Sequence, residues 1–384
     1  MANNKAFKIK NGLSATRYLG TNGTETAGSE GYSLAAASYD SKNLSISAQS
    51  GQPYDVRFKS DGTAMYVVDP FVDKVFQYTL STAWDVSTGS YASKSFTTTT
   101  QDGTPLGFDF KSDGTKMYIV GATNKVVYQY SLSTAWDVST ASYDSVSLSV
   151  TSQDSSPRSA FFKSDGTKLY IMGNTNQSIF QYSLSTAWDL STASYDSKSF
   201  SVSAQDTNPQ GVFLNSDGTK LFMQGVTNGD VYQYSLGTAY DISTASYDSV
   251  NFDLNNQIVT PFGVAFKPDG TKMYSAEFGT GEAIYQYSTV AYTQTLDLST
   301  GHTFSFTPSG ATTVSFTNPP ASGLATGFAV EVINTGGYAI TWPSSVKWHL
   351  GTAPTATATK EIYTFITTDG GTTYYGKKAG ENVV

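Results

Sequence analysis

Two carboxylates and a guanidinium stand out as side chains that could do chemistry, because they interrupt an otherwise regular pattern. Asp55, Arg57 and Asp109 lie in short apolar runs, and Arg57 and Asp109 occupy equivalent places 52 residues apart. Facing carboxyls can cleave a glycosidic bond, one as acid and the other as base or nucleophile. The intervening Arg57 is expected to hold both acids ionised, removing the raised pKa that a general acid needs. The expectation is a structural ion pair, and no catalytic residue is assigned. Glu277 and Glu282 are ambiguous in the same way. No nucleophile elbow, P-loop or zinc motif is present. The chain has no Cys, and its two imidazoles are His302 and His349. His349 has no second imidazole or acid at ligand spacing, so neither a metal nor a cofactor is expected.

What must position these residues is legible in composition and periodicity. Of the 384 residues only 14% are charged, while aromatics also reach 14%. Aromatic and hydroxyl-rich chains suit pleated surfaces better than helix bundles. The net charge of −8 argues against a nucleic-acid groove, which needs a positive field. No apolar run is long enough to span a membrane, and the start Met1-Ala-Asn-Asn-Lys lacks a signal peptide's apolar core. A soluble protein made in a cytoplasm is the expectation.

A 52-residue repeat organises the middle of the chain. Asp-Gly recurs at Asp61, Asp113, Asp165, Asp217 and Asp269, each within one sentence, as in Phe110-Lys-Ser-Asp-Gly-Thr-Lys-Met-Tyr. Each unit reads as four strands. In the second these are Leu106 to Phe110, Lys116 to Val120, Lys125 to Leu132 and Val146 to Val150, with a tight turn at Asp-Gly and a long polar loop before the fourth. One such sheet cannot bury both faces, but five set radially cover one another. The expected fold is all-β, a five-bladed β-propeller over residues 39–292. An orphan fourth strand near residues 43–48 is expected to complete the fifth blade, leaving no open edge. Thr303-Phe-Ser-Phe306 falls in the same register and is the alternative closing strand.

Two repeated sets are candidate ligand-binding residues. Gln49, Gln101, Gln153, Gln205 and Gln257 each precede a proline by four residues and are expected to circle one face. They could hold a sugar, or satisfy backbone groups of a neighbouring blade. Trp84, Trp136, Trp188 and Tyr240 could stack on carbohydrate, or plug the blade ends. Presence in every unit favours the architectural reading of both sets. The Asp-Gly turns offer one carboxylate each, too few for calcium.

The ends differ from the middle. Residues 1–38 read as a short strand and a flexible arm. Residues 293–384 hold about seven short alternating strands between Gly/Pro turns, which suggests a β-sandwich or jelly-roll. Trp342 and Trp348 there are expected in a core or subunit interface.

The Ser-Asp-Gly-Thr-Lys-Leu-Tyr segment resembles the blades of lactonase-like, YVTN-type propellers, which supports the fold and leaves activity open. Leu296-Asp-Leu-Ser-Thr-Gly, Val314-Ser-Phe-Thr-Asn-Pro-Pro, Ile340-Thr-Trp-Pro and Thr364-Phe-Ile-Thr-Thr-Asp-Gly-Gly resemble the C-terminal domain of bacteriophage tail-fibre and tail-tip proteins. The opening Phe7-Lys-Ile-Lys-Asn-Gly-Leu-Ser is similar to the start of phage structural proteins. These resemblances imply a virion protein assembled in the host cytoplasm, foremost a tail fibre or tail-tip adhesin. A capsid decoration or head-fibre protein and a polysaccharide depolymerase are the alternatives. The implied partners are other virion proteins through the N-terminal arm, a host-surface glycan or protein, and, by analogy with fibres, two further copies in a trimer. Nucleic acid and membrane insertion are not implied.

Overall fold

The computed structural model describes residues 31–381 apart from 280, 291, 309, 336 and 358, and also the strands Ala6–Lys8, Ser14–Thr16 and Thr26–Ala27. The short N-terminal strand expected at Phe7 is present, paired with Ser14–Thr16. Within the expected flexible arm, Thr26–Ala27 is instead a strand paired with Tyr292 and Thr293, and the remaining residues of the arm up to 30 lie outside the described residues. The chain forms two compact units, one of residues 31–35 and 42–289, the other containing residues 36–41 and 290–384.

The first unit is a five-bladed β-propeller. Blade two shows how the repeat folds: Pro105–Phe110, Lys116–Gly121, Val126–Leu132 and Ala141–Ser149 pair antiparallel in that order. Gly114 makes the first turn possible with a φ of +74°, a region that Cβ-bearing residues avoid. Asp113 accepts from the Thr115 N–H (2.9 Å) and hydroxyl (2.6 Å), and Lys111 pairs with its other oxygen at 2.8 Å. The turn is thus self-contained, and its acid is committed.

The outer strand is longer than the sequence suggests. It starts at Ala141 rather than near Val146, because a bulge with Ser145 at φ +57° resets the side-chain alternation. Tyr143 thereby joins the sheet and packs on Tyr128 and Tyr130. The loop before it contracts into a 3-10 turn, Val138–Thr140, capped by the Asp137 carboxylate.

Ring closure comes from the N-terminal side. The fifth sheet runs Pro261–Phe266, Lys272–Glu277, Ala283–Ser288 and then Ser38–Ser45. Thr303–Phe306 instead pairs in parallel with Thr326–Ile333 in the other unit. The repeat also begins earlier than residue 39. Tyr32, 52 residues before Trp84, shares its positive φ, and its N–H binds the Gly270 carbonyl just as that of Trp84 binds Gly62. It is the fifth aromatic plug.

Two polar latches join each blade to the next. A buried Gln in each third strand accepts from the first backbone N–H of the neighbour's 3-10 turn: Gln77 from Val138, Gln129 from Leu190, Gln181 from Ile242, Gln233 from Leu34 and Gln286 from Val86. The five bonds of 3.0–3.2 Å run once around the ring. A buried tyrosine hydroxyl donates to the carbonyl of the neighbour's aromatic plug in four of five cases: Tyr66 to Trp136, Tyr118 to Trp188, Tyr170 to Tyr240 and Tyr274 to Trp84. At the fifth interface Phe222 takes the tyrosine's place, stacked 6.0 Å from Tyr32 as Tyr118 is 6.2 Å from Trp188. Phe222→Tyr should restore the missing latch and raise stability by about 1 kcal/mol, measured by urea unfolding. An unchanged midpoint would show that the Tyr32 carbonyl is not positioned as the other four are.

The second unit holds two sheets. One orders Ile340–Thr341, Thr312–Thr317, Tyr292–Asp297 and Thr26–Ala27; the other orders Thr303–Phe306, Thr326–Ile333, Lys360–Thr367, Tyr374–Glu381 and Val346–Trp348. Leu296 and Val314 of the first sheet share one apolar cluster with Phe304, Phe328, Val330 and Phe365 of the second.

Candidate functional site

Five inner strands converge at the propeller axis, and the residues that meet there are those where the repeat departs from itself. One tier is Asp55, Gly107, Ser159, Gly211 and Gly263; the next is Arg57, Asp109, Phe161, Phe213 and Ala265. Apart from Asp55 the first tier is small, because neighbouring backbones nearly touch. A Cβ on Gly107 would lie 2.5 Å from the Arg158 carbonyl oxygen, and one on Gly263 would lie 2.6 Å from Asp55.

Arg57 spans this region. Its Nη1 pairs with Asp55 at 2.6 Å and reaches the Val56 carbonyl, while Nη2 donates to the Ala160 carbonyl at 3.2 Å. Asp109 lies 3.8 Å from Nε. The expected ion pair is present, but it does not hold the pKa values of the acids down as expected of it. Burial pushes both acids up, Asp55 to about 6, and outweighs the guanidinium's opposing pull. A raised pKa does not make either a free acid. Asp109 accepts from the Phe110 N–H with one oxygen and from the Phe162 N–H with the other, both at 2.8 Å. Asp55 is 1% exposed and accepts from the N–H groups of Val56 and Phe108. Each acid stitches its own inner strand to the next blade's.

The two repeated candidate sets lie at opposite ends of the strands. Trp84, Trp136, Trp188 and Tyr240 follow third strands and cover the Asp-Gly turns at Gly62, Gly114, Gly166 and Gly218. Phe58, Phe110 and Phe162 pack against the three tryptophans. Gln49, Gln101, Gln153, Gln205 and Gln257 precede first strands at the other end, all half-buried. Gln153 and Gln205 accept from the Tyr182 and Tyr234 hydroxyls, and asparagine side chains cap the carbonyls of Gln101, Gln153 and Gln205. Both sets therefore work within the blade ends, and the structure does not bring them together.

A buried carboxylate beside the glutamines organises each of these connections from two alternative places. Asp102, Asp154 and Asp206 accept backbone N–H groups of the following turn, such as Asn124 at 2.9 Å. Gly121, Gly173 and Gly225 face them, and a Cβ there would collide with the carboxylate. Where the loop carries Ser50 or Ile258 instead, the acid comes from the glycine's position, as Asp69 or Glu277. Asp69 binds the Ser50 hydroxyl at 2.7 Å, and Glu277 accepts from Tyr285 at 3.0 Å. This is the role of Glu277. Glu282 contributes its backbone carbonyl to Ile46.

Sequence reasoning missed a cleft at the glutamine end of the axis. Tyr54, Leu106 and Arg158, equivalent positions in blades one to three, meet the turns that carry Phe71 and Phe278, enclosing about 410 Å³. Blades two to four have Ala-Thr-Asn, Asn-Thr-Asn and Val-Thr-Asn in that turn; the aromatics occur only in blades one and five, where the ring closes. Phe71 is 67% exposed and lies 6.1 Å from Phe278, which meets Tyr54 edge-on at 5.8 Å. The signal was in the sequence as failures of the repeat, at Phe71, Arg158 and Phe278.

In the second unit Trp342 is buried against Tyr363 and Phe365, as a core residue. Trp348 and His349 line an open, apolar cleft of about 800 Å³ with Ile366 and Tyr375. Among the described residues no three acids or histidines come together as a metal site, and no helix is long and apolar enough to cross a membrane.

No protein-family model matches the chain, and no curated protein matches it in sequence. Similar solved structures include a functionally unknown protein from Desulfotomaculum acetoxidans, at 12% identity over 59% of this chain and 62% of that one, with a TM-score of 0.37. A "putative 6-phosphogluconolactonase" from Bacteroides uniformis is 12% identical over 56% of this chain and 61% of its own, with a TM-score of 0.39. Another so described from Bacteroides fragilis is 12% identical over 52% and 55%, with a TM-score of 0.37. The chain thus spans less than two thirds of each neighbour's length.

Proposed function

We propose that this protein is a non-enzymatic component of a bacteriophage particle, a tail fibre or tail-tip adhesin that contacts the host surface. The virion assignment rests on the sequence resemblance of residues 296–371 and of the opening segment to phage structural proteins. The observation that carries the non-enzymatic reading is the engagement of the axial acids: both oxygens of Asp109 already hold backbone N–H groups, and Asp55 is paired with Arg57. A depolymerase would need one of them free to move a proton. The N-terminal segment docks onto the particle, and the propeller meets the host through weak sites made effective by several copies, three in a trimer.

Antibody raised against the purified chain and imaged on intact particles tests the assignment. Label at the tail is expected. Label confined to the head would replace the adhesin with a decoration or head-fibre protein, and unlabelled particles would remove the virion assignment altogether.

A further inference from the structure

We infer that the cleft at the glutamine end of the propeller axis is a binding site for an acidic sugar, with Arg158 holding the carboxylate and the aromatic rim holding the ring. The inference gives a ligand class to the proposed adhesin and rests on that reading for its biological meaning, though its chemistry stands by itself.

The first observation is a cation with little to do. The chain is acidic, and its described lysines mostly sit beside aspartates or glutamates; Arg57 has Asp55 and Asp109. Arg158 lines the cleft, and its hydrogen bonding among the described residues is one long contact, from Nη1 to the Tyr54 hydroxyl at 3.3 Å. Its Nε is buried without a hydrogen-bond partner. A guanidinium that is partly desolvated and has no carboxylate partner among the described residues is an incomplete arrangement, because Arg is held best by a planar anion that accepts two parallel bonds.

The second observation is the wall. Tyr54, Pro70, Phe71 and Phe278 give the cleft an aromatic and apolar side, and Thr104 supplies a hydroxyl. Phe71 stands 67% exposed. Its backbone is held there, since the Phe71 N–H donates to Asp69 at 2.7 Å. Aromatic rings on a firm turn present a flat surface to the C–H face of a pyranose. The volume of about 410 Å³ falls within the range of small-ligand sites, roughly 300–1,000 Å³. One fixed cation, one apolar wall and a few hydroxyls match a uronic or sialic acid residue better than a neutral sugar, which leaves Arg158 unpaired. They also match it better than a plain carboxylate, which leaves the wall unused.

The test uses the full chain with D-glucuronate, D-glucose and acetate as probes in calorimetry and saturation-transfer NMR. Glucuronate is expected to bind at least about tenfold tighter than either of the others, roughly one decade of Kd. Arg158→Gln should erase the preference for glucuronate over glucose. Phe71→Ala, at an exposed position, should weaken both sugars while leaving the melting curve unchanged. Equal binding of acetate and glucuronate, or glucuronate binding indifferent to Arg158→Gln with a native melting curve, would overturn the site. Tighter binding of an Asp-Phe dipeptide than of glucuronate would assign the cleft to a peptide and overturn the sugar class. The two readings fail separately. Arg158-dependent glucuronate binding without attachment to host cells sinks the adhesin and keeps the site; attachment unaffected by Arg158→Gln, with no glucuronate binding, does the reverse.

Discussion

Arg57→Met should lose about 3–5 kcal/mol of folding stability at pH 8, because it strands two buried carboxylates without their cation. The loss should depend on pH in a defined sense. In the wild type the folded pKa of Asp55 lies near 6, above its ordinary value of 3.8. An acid with a raised folded pKa contributes its full stability below the unfolded value and loses it as pH rises through the folded one. Removing the guanidinium lifts the folded pKa further and widens that window upward. Toward pH 4 Asp55 is largely protonated in the folded variant and no longer a stranded charge, so the deficit should shrink to about 1 kcal/mol. Urea unfolding at the two pH values measures this. An equal deficit at both would mean that Arg57 acts by filling space. The turn acids Asp61, Asp113 and Asp165 pull the other way: their lysine and threonine partners hold them near 2, so their contribution is lost as pH falls from 3.8 through that value. Being mostly exposed, they contribute little.

Gly107→Ala is the second large effect, about 3 kcal/mol of destabilisation, at the high end for an added methyl group. The new carbon would meet the Arg158 carbonyl oxygen at 2.5 Å and the Ser159 Cα at 2.7 Å. Both belong to the main chain of the next blade, so no rotamer change relieves them. In a closed ring an inner strand cannot move outward without disturbing the latches at Gln77 and Gln129. Gly51→Ala is the control: nothing lies within 4 Å of its added carbon, and its stability should change by less than about 0.5 kcal/mol. A Gly107→Ala variant as stable as that control would show that the inner strands are less tightly joined than described.

What the sequence disclosed, and what it hid, follows from the repeat. Five Asp-Gly turns in register expose the strands, their order and the blade count, because every blade solves the same packing problem. The closing strand was legible for the same reason, although it runs over Ser38–Ser45 rather than residues 43–48. Tyr32 carried the same signal, 52 residues before Trp84, but Gly31-Tyr-Ser-Leu lacks the Asp that follows the aromatic in the other four plugs. The latch glutamines were hidden differently. Gln77, Gln129, Gln181 and Gln233 keep the period, yet one extra residue in the fifth blade moves the last to Gln286. The raised pKa of Asp55 could not be read either, since it depends on how completely the folded chain buries the carboxyl. The cleft at Arg158 was the least visible, because Phe278 of the fifth blade meets Tyr54 and Phe71 of the first only when the ring has closed.

Exposing host cells to the purified chain, while following bound protein and newly released reducing ends together, bears most directly on function. The account predicts saturable attachment with no reducing ends above the buffer control, for the wild type and for folded Asp109→Asn alike. Steady release by the wild type that disappears in folded Asp109→Asn would contradict it and make the axial carboxyl a working acid.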